Sequence, residues 1–199
     1  MAEAAVRIPK ERRQRDVSRQ ASRTAILDAA RRVAARDGAR DLSLRGVAAE
    51  AGFAPAALYG YFRSKDELLL ALATDDLTAL ARVMRGSGAG LAGAGAAALE
   101  LLRGAETMAA ASAALTGTPD NSKLNDAERL FNGRLIGALK ALSDASGLPS
   151  DSRESQCDVV LVAASLVGLA LLARSGRLKT LGFTPEEMIA RLNSRFRGA

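Results

Sequence analysis

Apolar residues recur three and four positions apart over long parts of this chain, the spacing that gives a helix one buried face. Within 22–36 the stripe is Ala25, Ile26, Ala29, Ala30 and Val33, with Arg31, Arg32 and Arg36 outside it. Within 65–85 it is Leu68, Leu69, Leu72, Leu77, Leu80, Ala81 and Met84. Within 122–145 it is Leu124, Ala127, Leu130, Phe131, Leu135, Ala138, Leu139 and Leu142, while Gly133 and Gly137 would let another helix come close. The run 159–173, VVLVAASLVGLALLA, is apolar around most of its circumference, which predicts a helix over 152–175 buried on more than one side. Shorter helices are expected at 96–103 and 105–115, and at 185–196 behind the start signal Thr184-Pro185-Glu186-Glu187. Five glycines between Gly86 and Gly95 predict a flexible connection. Gly117-Thr118-Pro119-Asp120 predicts a turn, and Gly147 with Pro149 a helix end. The fold class is all-α, with about nine helices.

Between 43 and 67 the pattern becomes more specific. Ser43 is a good N-cap for a two-turn helix whose inner face is Leu44, Val47 and Ala48. Gly52 ends that helix, because glycine takes the left-handed conformation without a Cβ clash. Pro55 sits where a first helical residue belongs, and the short helix over 55–61 puts Leu58 and Phe62 four apart, facing inward. Ser64-Lys65-Asp66-Glu67 is a capping box that opens the next helix. Helix, glycine turn, short helix and capped helix is the layout of a helix-turn-helix, whose second helix enters a DNA major groove.

These residues resemble the DNA-binding domain of the TetR family of bacterial transcriptional regulators. The resemblance starts at Thr24-Ala25-Ile26-Leu27-Asp28-Ala29-Ala30 and Asp37-Gly38. It continues through Val47-Ala48, Ala51-Gly52, Leu58-Tyr59, Tyr61-Phe62 and Ser64-Lys65 to Leu68-Leu69. It implies a DNA-binding domain over 20–80 with its motif at 43–62, and a helical effector-binding and dimerisation domain over 81–199. The residues it places at DNA are Ser43, Leu44, Arg45, Ala54, Pro55, Ala56, Ala57, Leu58, Tyr59, Gly60, Tyr61 and Lys65. Alanines cannot hydrogen-bond a base edge, though Ala56 or Ala57 suits a thymine methyl, so Arg45 is the candidate for a guanine contact. Ser43, Tyr59, Tyr61 and Lys65 match family positions that meet phosphates, which place the protein without reading sequence. Two residues depart from the family's pattern. Gly60 stands where an aromatic or polar residue is common, and Ala54 where a capping serine is common.

Charge sharpens the division. The chain has 28 Lys+Arg and 22 Asp+Glu, and residues 1–65 hold 14 of the basic but only 7 of the acidic side chains. The excess positive charge therefore lies in the part expected to meet phosphates. Residues 1–19 carry Arg7, Lys10, Arg12, Arg13, Arg15 and Arg19 without apolar periodicity. They are expected as a disordered basic arm: either a solvated tail or an extension along phosphates or into a minor groove. The chain has no histidine and a single cysteine, Cys157. That removes the histidine-based catalytic constellations and the commonest zinc ligand, so no cofactor or metal and no catalysis are expected. One cysteine and no visible signal peptide suit a reducing cytoplasm. The apolar run 159–173 falls short of the roughly 20 residues that span a bilayer, so no membrane partner is expected.

The carboxy-terminal part carries no motif of comparable specificity. By the resemblance it binds a small-molecule effector and forms a homodimer, through helices 152–175 and 185–196 or, alternatively, 122–145. The stretch 163–178 resembles one effector-domain subclass through Val167-Gly168 and Ser175-Gly176, but lacks the Trp and His usual there. Candidate effector contacts are Met84, Leu101, Met108, Phe131, Arg134, Leu135 and Leu166. Each apolar member reads equally as core, and Arg134 as an exposed arginine. The expected activity is a repressor released from a palindromic double-stranded DNA operator by the effector. An activator, an effector-independent DNA binder and a small helical enzyme are the alternatives.

Overall fold

Nine helices and no strand are found among the described residues, which in this computed structural model are 10–88, 90–104 and 126–196. They are α1 (Lys10–Asp37), α2 (Leu44–Ala51), α3 (Pro55–Leu58), α4 (Lys65–Gly86), α5 (Gly90–Gly104), α6 (Asp126–Ser146), α7 (Arg153–Arg174), α8 (Arg177–Thr180) and α9 (Pro185–Phe196). The chain divides into two compact units between Leu68 and Leu69. The expected helix over 105–115, the turn at 117–120 and residues Leu124 and Met108 lie outside the described residues.

In the amino-terminal unit α1 begins at Lys10, well ahead of the apolar stripe that signals it. Residues 10–19 are therefore helical, contrary to that part of the expected disordered arm, whose residues 1–9 lie outside the described residues. Nucleation is the costly step of helix formation. Once 22–37 is packed, Lys, Glu, Arg and Gln extend the helix cheaply. The stripe itself differs at its edges: Ile26, Leu27, Ala29, Ala30, Val33 and Ala34 are buried, while Ala25 is exposed. α2 packs against α1, and α3 against α2. The core between them is closed by Leu44, Val47, Ala48, Leu58 and Phe62.

In the second unit α5 packs against α6, α7 and α9, and α7 also meets α6, α8 and α9. The expected glycine-rich break is shorter than its composition. α4 ends at Gly86, and α5 runs from Gly90 straight through Gly93 and Gly95. Glycine costs a helix about 1 kcal/mol relative to alanine, and packing supplies the reason for Gly95. A Cβ there would lie 3.3 Å from Ile189 Cγ2 of α9 and 3.4 Å from Leu166 Cδ2 of α7. Three helices thus meet over a backbone that only glycine leaves bare. Gly133 and Gly137 differ, because no described neighbour lies within 4 Å of a Cβ at either.

Two expectations for α6 and α7 are corrected. On α6 the buried residues are Phe131, Ala138, Ala141, Leu142, Ser143 and Ser146, so Leu130 and Leu135 fall outside the core. α7 is buried along one stripe only: Val159, Val162, Leu166, Leu169 and Ala170. Its other face leaves Val160, Leu161, Val167 and Leu171 exposed. A run of apolar residues marks a helix but does not say how many faces its own chain will cover. Capping extends α7 to 22 residues, with Ser152 Oγ accepting from the Ser155 amide at 3.1 Å. That helix is long and apolar enough to cross a membrane, beyond the fifteen-residue run that signalled it.

Candidate nucleic-acid interface

Each element of the helix-turn-helix is held by the local chemistry its sequence supplies. Ser43 Oγ accepts from the Gly46 amide at 3.1 Å, capping α2. Gly52 closes α2 at φ +72°, with the Phe53 amide donating to the Ala48 carbonyl at 2.9 Å. Pro55 opens α3, and Ala54 gives it no side-chain cap. α3 is shorter than expected: it is helical only to Leu58, and 59–61 form a turn. At α4 the Glu67 amide donates to Ser64 Oγ at 3.1 Å. The Glu67 carboxylate reaches back to the Arg63 amide at 2.7 Å, one residue further than a capping box requires.

The buried and exposed faces separate cleanly. Leu58 is 0% exposed and Phe62 1%, whereas Tyr59 is 58% exposed. Ser43, Arg45, Ala54, Pro55, Ala56, Ala57 and Gly60 are also exposed, and Tyr61 and Lys65 are half-buried. Leu44 and Leu58, expected at DNA, are buried and anchor the helices from within. Lys65 Nζ donates to the Arg40 carbonyl, which holds its ammonium beside the loop leading to Ser43.

Sequence reading missed a set of cross-helix contacts. Glu50 on α2 bridges two arginines of α1, at 2.8 Å to Arg32 Nε and 3.2 Å to Arg36 Nη1. The Arg32 hydrogen bond, then that of Arg36, holds the Glu50 carboxyl below its ordinary value. Arg36 also forks onto Asp37 and is raised, chiefly by that hydrogen bond and then by Glu50. Arg32 and Arg36 announce themselves by their one-turn spacing, but their partner is on another helix and no sequence period marks it. Arg19 and Arg23 likewise reach Gly60, Tyr61 and Phe62.

In the second unit a groove of about 690 Å³ between α6 and α7 is lined by residues including Ile136, Leu139, Lys140, Arg153, Val160 and Leu161. A smaller one of about 340 Å³ lies between α5 and α9. Neither includes Met84, Leu101, Phe131, Arg134, Leu135 or Leu166. Met84, Phe131 and Leu166 are buried, and Arg134 and Leu135 are exposed. Among the described residues no group of three or more Cys, Asp or Glu is placed to hold a metal ion.

Residues 26–72 match the family model for bacterial regulatory proteins of the tetR family. Comparison with curated protein sequences gives no match. Among solved structures, a protein described as regulatory, SCO4313, has a TM-score of 0.65 at 23% identity, over 96% of this chain and 100% of that one. A TetR transcriptional regulator from Rhodococcus sp. RHA1 has a TM-score of 0.65 at 22% identity, over 89% and 97%. A TetR-family transcriptional regulator from Streptomyces coelicolor has 0.56 at 21%, over 89% and 96%. At these identities the likeness to solved structures is one of fold. Residues 26–72, whose helices present the helix-turn-helix described above, are thus similar to the tetR-family model, and the chain shares the fold of solved TetR-type regulators.

Proposed function

We propose that the chain is a homodimeric, sequence-specific transcriptional regulator, acting as a repressor that a small molecule releases from a palindromic operator. The observation that carries DNA reading is the split of α2 and α3 into a sealed inner face and an outer face of Arg45, Ala56, Ala57 and Tyr59. Arg45 suits a bidentate guanine contact and the alanines a thymine methyl. Ser43, Tyr59, Tyr61 and Lys65 suit phosphates.

Dimerisation is supported by α7. Val160, Leu161, Val167 and Leu171 leave an apolar face exposed on a helix whose other face is packed on α5 and α6. A second copy of α7, with α9 beside it, covers such a face by two-fold symmetry. Two reading heads then sit about 34–36 Å apart, one turn of DNA. A small molecule that favours one head spacing over another shifts the population of DNA-competent dimers. The groove between α6 and α7, with Lys140 and Arg153 at its rim, is a second place for it besides the buried candidates Met84, Phe131 and Leu166.

The test is an electrophoretic shift on the DNA upstream of the protein's own coding sequence, titrated against salt. A discrete complex that survives competitor DNA, with a symmetric footprint, is the expected result. Arg45→Ala with Tyr59→Phe should abolish that complex while leaving the fold and the dimer intact. Binding that persists in the double variant would sink the assignment of the reading face.

A further inference from the structure

α3 is a weak helix to carry a reading face. It has four residues, no side-chain cap at its start, and a turn containing Gly60 at its end. Leu58 and Phe62 secure its inner side, but the exit turn 59–61 lies at the surface. Yet the turn is gripped, and the grip comes from α1. Arg19 Nη2 donates to the Gly60 carbonyl at 3.3 Å. The same guanidinium lies over the Tyr61 ring, 5.8 Å from its centroid. One helical turn on, Arg23 lies over the Phe62 ring at 5.4 Å. Tyr61 is also met by Phe53 in an edge-to-face pair, with centroids 6.3 Å apart and planes at 77°.

We propose that Arg19, backed by Arg23, is a positioning residue that fixes the turn after α3 and so sets how Tyr59 and Tyr61 are presented. The contact exists because α1 continues as a helix ahead of its apolar stripe, carrying Arg19 and Arg23 on one face. Arginine is suited to both contacts at once. Its planar fork donates in plane while its face stacks on a ring, which a lysine ammonium does not reproduce. Arg12, Arg13 and Arg15 on the same extension are exposed and carry no such contact in the structure, so they serve as charge controls. The basic extension of α1 is thereby divided between charge alone and geometry at Arg19.

This inference rests on α2 and α3 being the DNA reader, and its test separates the two. The chain has two tyrosines and no tryptophan, so Tyr59→Phe leaves Tyr61 as the sole tyrosine. In that background Arg19→Ala should flatten the near-ultraviolet circular dichroism band of Tyr61, while Arg15→Ala leaves it unchanged. An unaltered band in Arg19→Ala overturns the proposal. Binding is then measured, with Tyr59 in place, on a duplex selected from a random pool by the wild-type protein and on a scrambled duplex of equal length. Arg19→Ala should weaken the selected duplex about fivefold, equivalent to about 1 kcal/mol. Binding to the scrambled duplex and the salt slope should stay unchanged, and Arg19→Lys should not restore the loss. An equal fall on both duplexes, with the slope reduced by about 1, marks a phosphate contact and overturns positioning. A wild-type protein without sequence preference refutes the DNA-reading proposal, and the Tyr61 band still decides the clamp.

Discussion

The two units bury their apolar residues to different degrees. In the amino-terminal unit the side chains that would face outward as greasy surface are inside: Ile26, Leu27, Val47, Leu58 and Phe62 are almost fully buried. Outside lie arginines, alanines, Tyr59 and, on the extension of α1, a single exposed Val17. In the second unit α6 and α7 leave Leu130, Leu135, Ile136, Val160, Leu161, Val167 and Leu171 in solvent. Single exposed apolar residues are ordinary on a protein surface, but a contiguous face is a place for a partner. One unit is finished by its own chain and offers charge. The other is unfinished and offers surface. That contrast matches the proposed division of labour, in which one end meets a polyanion and the other a second copy.

The largest expected effect breaks the closed core. Phe62→Ala removes a side chain that is 1% exposed and should destabilise the amino-terminal unit by about 3–5 kcal/mol. Thermal unfolding followed by hydrogen exchange should show protection lost there and kept in α5, α6 and α7. Uniform loss across both units would mean that they fold as one.

Next comes the open face. Val167→Asp with Leu171→Glu should leave a folded monomer, because neither side chain is in the core of its own chain. Burying unpaired charge at a dimer contact should weaken association at least thirtyfold, about 2 kcal/mol. Light scattering during size-exclusion chromatography reads this directly. An unchanged dimer would move the interface to α6, and Leu130→Glu with Ile136→Glu would then be decisive.

A smaller effect tests packing against propensity. Gly95→Leu should cost about 1–3 kcal/mol, since Ile189 and Leu166 already lie at contact distance from a Cβ there. Gly137→Ala, with no described neighbour within 4 Å, should gain up to about 1 kcal/mol from helix propensity. Paired melting curves check both signs. A loss at Gly137 would itself point to a partner on that face.

The smallest effect is electrostatic. Arg32 and Arg36 lower the Glu50 pKa in the folded state, so the unfolded chain binds that proton more tightly. The contribution is therefore present above the ordinary carboxylate value and fades as pH falls through the lowered one. Glu50→Gln should flatten the acid limb of the amino-terminal unit's stability and leave the second unit's untouched, by denaturant melts across pH. The two arginines are exposed and Glu50 is half-buried, so salt should shrink the difference.

The helix-turn-helix was legible because its signals are local. Ser43, Gly52, Pro55 and Ser64 each act within a turn or two of themselves, through a hydroxyl, a left-handed φ or a missing N–H. The inward positions of Leu44, Val47 and Ala48 follow from helical period alone, whereas Phe62 turns inward beyond the end of α3. The twelve-residue stretch from Lys10 to Ala21 was not legible as helix, because its helicity comes from extending a packed segment, and no apolar stripe marks it.

Sequence alone thus determined the helix-turn-helix, the all-helical class and the asymmetry of charge. Tertiary structure decided what depends on residues far apart. It decided that Glu50 lies between Arg32 and Arg36, that Arg19 reaches Gly60 and Tyr61, and that Gly95 lies under Ile189 and Leu166. It also decided which side of α7 its own chain covers. The physical reason is the same in each case. A cap or a helical period is set by neighbours in sequence, whereas a cross-helix contact depends on where a second element lies, and no period within one helix carries that information.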